Sequence, residues 1–324
     1  MLYALSCRIT IGNVVFTSVN DLVIYHSIHS VVQTAMIKIP LSARLRQNGE
    51  TTTVQTSNMF KPGDPVSIEL GYNNRLWPEF NGYVTRLVYG RPMTIECEDA
   101  MHIVRKNHIT ESRPDIKLKE VVDMCLKGLY KVKGEVPDMT INDFTVKEES
   151  AVNILQSIKN DYGLGIFFTP EAELYCGPLY GLMLSDVKYD FHINIKPTQN
   201  DLRHQEEEDV KLRIIAKTWR KDGGLLEAET GDKEGHVRTL WFYGIDDPEQ
   251  LKERALAEMK RYKFSGYTGY FTTLLYPYAE PGMRAIINDP DFPERGGSYY
   301  IESVETRFGQ SGASRKVEPG IKLD

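Results

Sequence analysis

Lys61-Pro62-Gly63-Asp64-Pro65-Val66-Ser67-Ile68 and Glu280-Pro281-Gly282-Met283-Arg284-Ala285-Ile286-Ile287 decide the fold, because each sets a Pro-Gly turn directly before a strand. Proline presets the φ of a turn's second residue, and glycine accepts the positive φ of its third. Val66, Ile68 and Leu70 then alternate with polar residues, which is the period of a half-buried strand. About twenty residues on, Gly82-Tyr83-Val84-Thr85-Arg86-Leu87 and Tyr299-Tyr300-Ile301-Glu302-Ser303-Val304 read as strands running back from a loop. The order of turn, strand, variable loop, strand and terminal strand occurs twice, which implies two β domains of one design. The turn positions assigned to this structural repeat are Pro62, Gly63, Gly82, Pro281 and Gly282.

Outward from these stretches, the first hundred residues are β in character. Leu5, Cys7, Ile9 and Ile11 alternate, Gly12-Asn13 turns, Val31 to Ile39 is strand-like, and Tyr72-Asn73-Asn74-Arg75 makes a hairpin turn before the later strand Met93 to Cys97. Strands this short and this closely spaced predict a small barrel or sandwich. The pattern changes near Asp99. Leu118, Val121, Val122, Cys125, Leu126 and Leu129 share one face of an amphipathic helix. Thr145 and Glu148 have capping-box spacing and predict a second helix, with Ala151, Ile154, Leu155 and Ile158 inward and Gly163 and Gly165 ending it. Gly165 to Phe168 and Glu173 to Cys176 form a hairpin pattern. β character returns near Phe191, with a hairpin turn at Asp222-Gly223-Gly224. Asp247-Pro248-Glu249-Gln250 opens a third helix carrying Leu251, Ala255, Met259 and Tyr262, and Gly266-Tyr267-Thr268-Gly269 ends it. The expected domains are residues 1–108, a β domain; 109–186, a small α/β domain; and 187–324, a second β domain with one helix at about 247–264.

The chain has 324 residues, enough for two or three domains. Its net charge of −6 excludes a uniformly basic duplex-DNA binder, and 41% hydrophobic residues suit real cores. No stretch approaches the roughly 20 apolar residues of a membrane span, and the first residues lack the pattern of a signal peptide, so no membrane insertion is expected. Cys7, Cys97, Cys125 and Cys176 have neither CxxC nor zinc spacing and read as reduced packing thiols.

The search for chemistry finds no catalytic constellation. The sequence has no phosphate-binding glycine loop, no HExxH and no GxSxG, and Gly163-Leu164-Gly165 reads as a helix end. His26 and His29 fall on opposite faces of a strand, which disfavours a shared metal. His102 and His108 lack partner ligands. Asp289-Pro290-Asp291 reads as an acidic turn and not a calcium loop, and Gln205 to Asp209 as a solvated turn. Lys211, Arg213, Lys217, Arg220 and Lys221 recur on a strand and its turn, as a contact patch or a solvated face. The expectation is a scaffold without catalytic residues, cofactor or metal.

A resemblance adds to this reading. Phe80-Asn81-Gly82-Tyr83-Val84 followed by Thr94-Ile95-Glu96-Cys97-Glu98-Asp99-Ala100-Met101 looks like the end of the first barrel in contractile-tail hub proteins. Asn194-Ile195, Asp201-Leu202 and Glu207-Glu208-Asp209-Val210-Lys211-Leu212 are similar to the approach to their second barrel. Leu251 to Phe264, closed by Gly266, is similar to their late helix, and Pro281-Gly282 through Gly320-Ile321-Lys322-Leu323 to their closing hairpins. In the order of these segments across nearly the whole chain, the sequence resembles the phage late control protein D group. That group includes the T-even phage baseplate hub and the N-terminal part of the type VI secretion spike protein.

The resemblance implies a mainly β fold: two tube-type β-barrel domains related by an internal pseudo-repeat, with a small α/β domain between them. It implies a structural role in a phage tail or phage-tail-like injection machine. Three copies form a ring whose six barrels match a sixfold tail tube on one side and a threefold spike on the other. The implied partners are two further copies, the tail tube protein and a spike protein. DNA passes through without specific binding, which a mildly acidic lumen favours by repelling phosphate. The implied place is the virion tail or baseplate, after assembly in the bacterial cytoplasm. Because the sequence stops at Asp324, soon after the second barrel, the expectation is a stand-alone hub with the spike on a separate chain.

Two other classes make distinct predictions. A cell-wall hydrolase of the tail tip needs a cleft with two carboxylates about 5–10 Å apart. A carbohydrate- or peptide-binding β-module needs an exposed aromatic platform, for which Trp77, Trp219 and Trp241 are the candidates.

Overall fold

The computed structural model describes residues 4–47, 50–196, 199–220, 222–242 and 245–323. The first barrel comprises β1 (Leu5–Ile11), β2 (Val14–Phe16), β3 (Asp21–Ser27), β4 (Thr34–Ile39), a protruding hairpin of β5 (Ser42–Gln47) and β6 (Glu50–Gln55), then β7 (Pro65–Tyr72), β8 (Arg75–Val88) and β9 (Met93–Glu98). Its strands follow the order β3-β4-β9-β8-β7-β1-β2, antiparallel throughout. The period-two residues point inward: Ile9, Ile11, Leu22, Ile24, Ile37, Ile68, Leu70 and Ile95 form an aliphatic core.

The middle region holds α1 (Met101–Val104), β10 (His108–Lys117), α2 (Leu118–Leu126), β11 (Val132–Lys133), β12 (Thr140–Ser150), α3 (Ala151–Tyr162), β13 (Leu164–Phe168) and β14 (Leu174–Pro178). One core joins these elements, and it takes in Ala100, Met101 and Val104, ahead of the expected boundary at residue 108. The predicted stripe of α2 is buried from Leu118 to Leu126. The helix stops there because Lys127 turns left-handed at φ 49°, and Leu129 is left 62% exposed. The expected capping box does not form. Thr145 and Glu148 lie inside β12, where Thr145 pairs its hydroxyl with that of Ser112 at 3.1 Å. The long ladder of β12 with β10 outweighs a local cap, and α3 starts only at Ala151, whose N–H donates to the Asn107 carbonyl at 2.9 Å. Gly163 ends α3 at φ 62°.

The chain then forms β15 (Asp186–Asp190) and β16 (Arg203–Gln205), leaves the barrel for β17 (Leu212–Trp219), β18 (Leu225–Gly231), β19 (His236–Phe242) and α4 (Pro248–Lys260), and returns through β20 (Gly266–Thr268), β21 (Phe271–Thr273), β22 (Arg284–Asn288), β23 (Gly297–Gly309) and β24 (Gly312–Lys322). The late helix is therefore shorter than expected. Asp247 caps it by accepting the Glu249 N–H at 3.1 Å, and it covers the sheet β18-β17-β19, which has a small core of its own. Tyr262 lies past its end, and Gly266-Tyr267-Thr268 is a strand and not a terminator. The second barrel's core mixes aliphatic residues with two ring pairs, Tyr189 on Phe271 and Tyr267 on Tyr299.

The two meanders β7-β8-β9 and β22-β23-β24 are built alike. Gly63 and Gly282 sit at φ +93° and +90°, and each turn closes at 3.2 Å, from Asp64 N–H to the Lys61 carbonyl and from Met283 N–H to the Glu280 carbonyl. Gly63 N–H donates to the Val84 carbonyl at 2.7 Å; Gly282 N–H donates to the Ile301 carbonyl at 3.0 Å. Val84 N–H returns to the Asp64 carbonyl, as Ile301 N–H does to that of Met283. One residue later both central strands bulge, between Val84 and Arg86 and between Ile301 and Ser303. Gly82 is not a turn residue. It lies mid-strand opposite Val66, where a Cβ would stand 2.2 Å from the Glu98 carbonyl, while Tyr299 fills the matching position of β23. One strand differs in sense: β1 runs antiparallel to β7, but β15, which arrives from the middle region, runs parallel to β22.

Candidate functional site

The feature that distinguishes this chain from two independent barrels is the joint between them. β3 of the first barrel pairs antiparallel with β23 of the second, from Ser27 opposite Ser303 to Asp21 opposite Gly309, so both barrels belong to one continuous sheet. Polar groups fix this seam. The Ser27 and Ser303 hydroxyls share a hydrogen bond of 2.7 Å. The Gln33 carboxamide accepts the Ser27 N–H at 2.7 Å and donates to the Ser27 and Ser30 carbonyls at 3.1 Å each. Asp99 accepts the Gln33 N–H at 3.1 Å and the Met101 N–H at 3.0 Å, tying the seam to the middle region. Burial pushes the Asp99 carboxyl up to about 7, against the pull of those two amides.

Beside the seam lies a buried ion pair. Arg315 on β24 meets Glu79 on β8 through both guanidinium NH2 groups, at 2.6 and 3.1 Å, with side chains only 1% and 4% exposed. The same guanidinium donates to Thr306 Oγ1 at 2.9 Å and to the carbonyls of Ala279 at 3.1 Å and Leu275 at 3.3 Å, and it stands 4.9 Å from the Tyr278 ring centre. His26 is half-buried nearby, stacked on Phe80 at 6.1 Å; desolvation and then Arg315 push its pKa down to about 4. In such a buried pair the desolvation of both charges offsets much of their attraction, while removal of one partner alone leaves the other charge uncompensated. Sequence reading missed this pair. Its signal was present: Arg315 shares the inward phase of Val317 on β24.

The other candidates resolve as local structure. Asp289 accepts the N–H groups of Asp291 and Phe292, both at 3.1 Å, and so closes its own turn. His29 pairs with Glu302 at 2.9 Å, and His102 stacks on Tyr83. The basic residues of β17 are neutralised across the sheet, Arg213 by Glu229 and Lys217 by Glu227, at 2.6 Å each; Lys221 lies outside the described residues. Burial pushes the thiols of Cys97, Cys125 and Cys176 up to about 12 and that of Cys7 to about 11. A cavity of about 260 Å³ lies between the first barrel and the middle region and is lined by Asn81, Tyr83, Tyr130 and apolar or small residues, with no carboxylate. Burial also pushes Glu280 up to about 7, but its carboxylate is occupied by the Tyr278 hydroxyl at 3.1 Å. Trp77 packs on Tyr276, whereas Trp219 and Trp241 stack on each other at 6.1 Å on the uncovered face of the β17–β19 sheet, 56% and 47% exposed. Among the described residues, no helix is long and apolar enough to cross a membrane.

Comparison with solved structures places the fold. The chain is similar to the 43 kDa tail protein of prophage MuSo2 from Shewanella oneidensis, with a TM-score of 0.68, 14% identity and 98% of each chain covered. It is similar to a tail protein from Neisseria meningitidis MC58, with a TM-score of 0.67, 13% identity and coverage of 99% and 97%. The third is the E. coli c3393 protein, described as a type VI secretion component with structural similarity to the T4 tail proteins gp27 and gp5, with a TM-score of 0.61, 8% identity and coverage of 98% and 77%. No protein-family model and no curated protein sequence matches the chain. At these identities what is shared is the fold, and the resemblance read from the sequence holds at that level: the chain has the fold of these two tail proteins and of the type VI secretion component.

Proposed function

We propose that the chain is a structural hub of a phage tail or a phage-tail-like injection machine. Three copies close into a ring of six barrels that joins the tail tube to a central spike. The observation that carries this reading is the edge-to-edge union of two barrels with one turn-and-bulge design inside a single chain. A sixfold tube meets a threefold spike only through an adapter that offers two equivalent faces per subunit, and closed rings are the common state of homo-oligomers. The protein acts by position and not by turnover, and DNA crosses its ring without specific contact. It assembles in the bacterial cytoplasm and works in the tail.

The test is electron microscopy and native mass of the full chain mixed with its tube and spike proteins. A pseudo-sixfold ring of three copies is expected. A chain that stays monomeric with both partners present, or that releases soluble fragments from cell wall, overturns the proposal. A second reading, a peptide- or carbohydrate-binding face, is favoured by the exposed Trp219–Trp241 stack, because paired aromatic faces anchor such ligands. Replacing both by Ala tests it: loss of partner binding with stability held within about 0.5 kcal/mol marks a contact face.

A further inference from the structure

The three parts of the chain meet around a smaller cavity of about 10 Å³. His26 and Gln33 line it from the first barrel, Thr169 and Pro170 from the turn after β13, and Leu184 and Pro281 from the approach to β15 and the second Pro-Gly turn. Thr169 is 5% exposed, and its Oγ1 is buried with no hydrogen-bond partner among the described residues. Its backbone is committed to the turn: the N–H donates to the Glu173 carbonyl and the carbonyl accepts the Ala172 N–H, both at 2.9 Å. A buried hydroxyl left unpaired carries its full desolvation cost, so such groups are rare in folded chains. His26 and Gln33 offer what Thr169 lacks. Desolvation and Arg315 hold the pKa of the half-buried His26 ring down to about 4, so at neutral pH it presents one donor and one acceptor nitrogen. Gln33 Oε1 accepts the Ser27 N–H at 2.7 Å and keeps a second lone pair, while Nε2 is engaged by the Ser27 and Ser30 carbonyls.

We propose that this cavity is a binding site for one ordered water, which hydrogen-bonds Thr169 Oγ1 and ties it to the His26 ring and the Gln33 carboxamide oxygen. Size fixes the ligand class, because a cavity near 10 Å³ admits a single water and nothing larger. Polarity fixes the occupancy: cavities lined by apolar groups alone stay dry, whereas a few convergent polar partners hold a water. The water also completes a chain of contacts. Gln33 already joins the barrel seam, through Ser27, to the middle region, through Asp99. The water brings the turn after β13 to the same centre, so the middle region is fixed at two points, Asp99 ahead of α1 and Thr169 after β13. On the other side of Thr169 the turn is held to β8, where Asn81 Nδ2 donates to the Pro170 carbonyl at 3.3 Å. The site lies within one chain and is independent of the ring.

Thr169→Val keeps the shape of the side chain and removes its hydroxyl, and the sign of the effect separates a wet site from a dry one. With the water in place the change breaks a hydrogen bond, and the unfolding constant of the full chain, from urea titration, is expected to rise about threefold to tenfold. In a dry site the same change relieves an unpaired hydroxyl, and the constant stays level or falls. Thr218→Val is the control. Thr218 is fully buried on β17 with its Oγ1 likewise unpartnered among the described residues, but it lines neither cavity, so this variant is expected to be as stable as the parent or more so. A crystal structure of the parent chain is expected to show a water within about 3.2 Å of Thr169 Oγ1. Missing density for that water overturns the proposal. So does a Thr169→Val chain that unfolds no more readily than the parent, or an equal loss in both valine variants.

Discussion

In the first barrel the residue that opens β9 on the inward side is Met93; at the matching place on β24 the second barrel carries Arg315, and both are fully buried. Around them the interiors diverge in the same sense. The first is dominated by isoleucine and leucine; the second adds Tyr189, Tyr267, Phe271 and Tyr299, and the hydroxyls of Tyr267 and Tyr299 donate to the Arg295 carbonyl at 3.3 and 2.7 Å. The Pro-Gly turns and the bulge just after Val84 and Ile301 do not diverge. Side-chain filling is thus free to drift while the backbone devices that fix strand spacing are held. The departure with the most consequence, a charge in place of a thioether, falls where the two barrels meet.

Substituting Arg315→Met gives the second barrel the residue of the first and is the strongest way to break the comparison. Glu79 is left buried and unpaired, and the loss is expected to be about 3–5 kcal/mol, seen as a lower urea midpoint. The double variant Glu79→Leu with Arg315→Met removes both charges and is expected to recover most of that loss. If it does, while scattering shows a changed angle between the barrels, the pair sets orientation. An Arg315→Met chain as stable as the parent shows that the pair is not the pin.

The next effect concerns Asp99, where the first barrel meets the middle region through backbone amides instead of a guanidinium. Its carboxyl is pushed to about 7 by burial, above the unfolded value near 4. Between those limits the folded state binds the extra proton, so this group makes stability fall as pH rises from about 4 to about 7. His26, held down at about 4, acts oppositely and costs stability as pH falls below about 6.5. Asp99→Asn removes the titration, but its Nδ2 cannot accept, so either the Gln33 or the Met101 N–H loses its partner. Relative to the parent it should be less stable by about 1–3 kcal/mol at pH 4, the scale of one buried polar group, and that deficit should shrink as pH rises from about 4 to about 7. A difference that does not change with pH means that Asp99 is ionised throughout.

How far the sequence carried this fold depends on whether the deciding interaction was local. Pro62-Gly63 and Pro281-Gly282 were legible because a positive φ after proline is written in two adjacent residues. Alternation exposed most strands for the same reason, and Asp247-Pro248 announced α4. The Thr145–Glu148 pair misled because capping spacing is a local pattern, whereas β12 is held by β10, some thirty residues away in the chain. The Arg315–Glu79 pair spans 236 residues, and the β3–β23 seam joins strands as remote. Only the inward phase of Arg315 hinted at it. The β17–β19 sheet was hidden inside an expected barrel because its strands carry the same alternation as barrel strands.

The smallest effects test whether the two Pro-Gly turns are as alike as their hydrogen bonds. Alanine at either glycine must adopt a φ near +90°, which costs on the order of 1 kcal/mol before any contact is counted. At Gly63 a Cβ meets nothing within 4 Å, so Gly63→Ala should show that strain alone. At Gly282 the Cβ comes to 3.2 Å from Leu182 Cδ2, a buried side chain of the segment leading into β15, so Gly282→Ala should cost about 1 kcal/mol more unless Leu182 yields. Paired with Leu182→Ala, which opens that space, the extra cost of Gly282→Ala should vanish while its strain remains. Equal losses in the two single variants would mean that the second turn has slack the static contact does not show. A larger loss at Gly63 would mean that the first turn, not the second, is the more tightly determined.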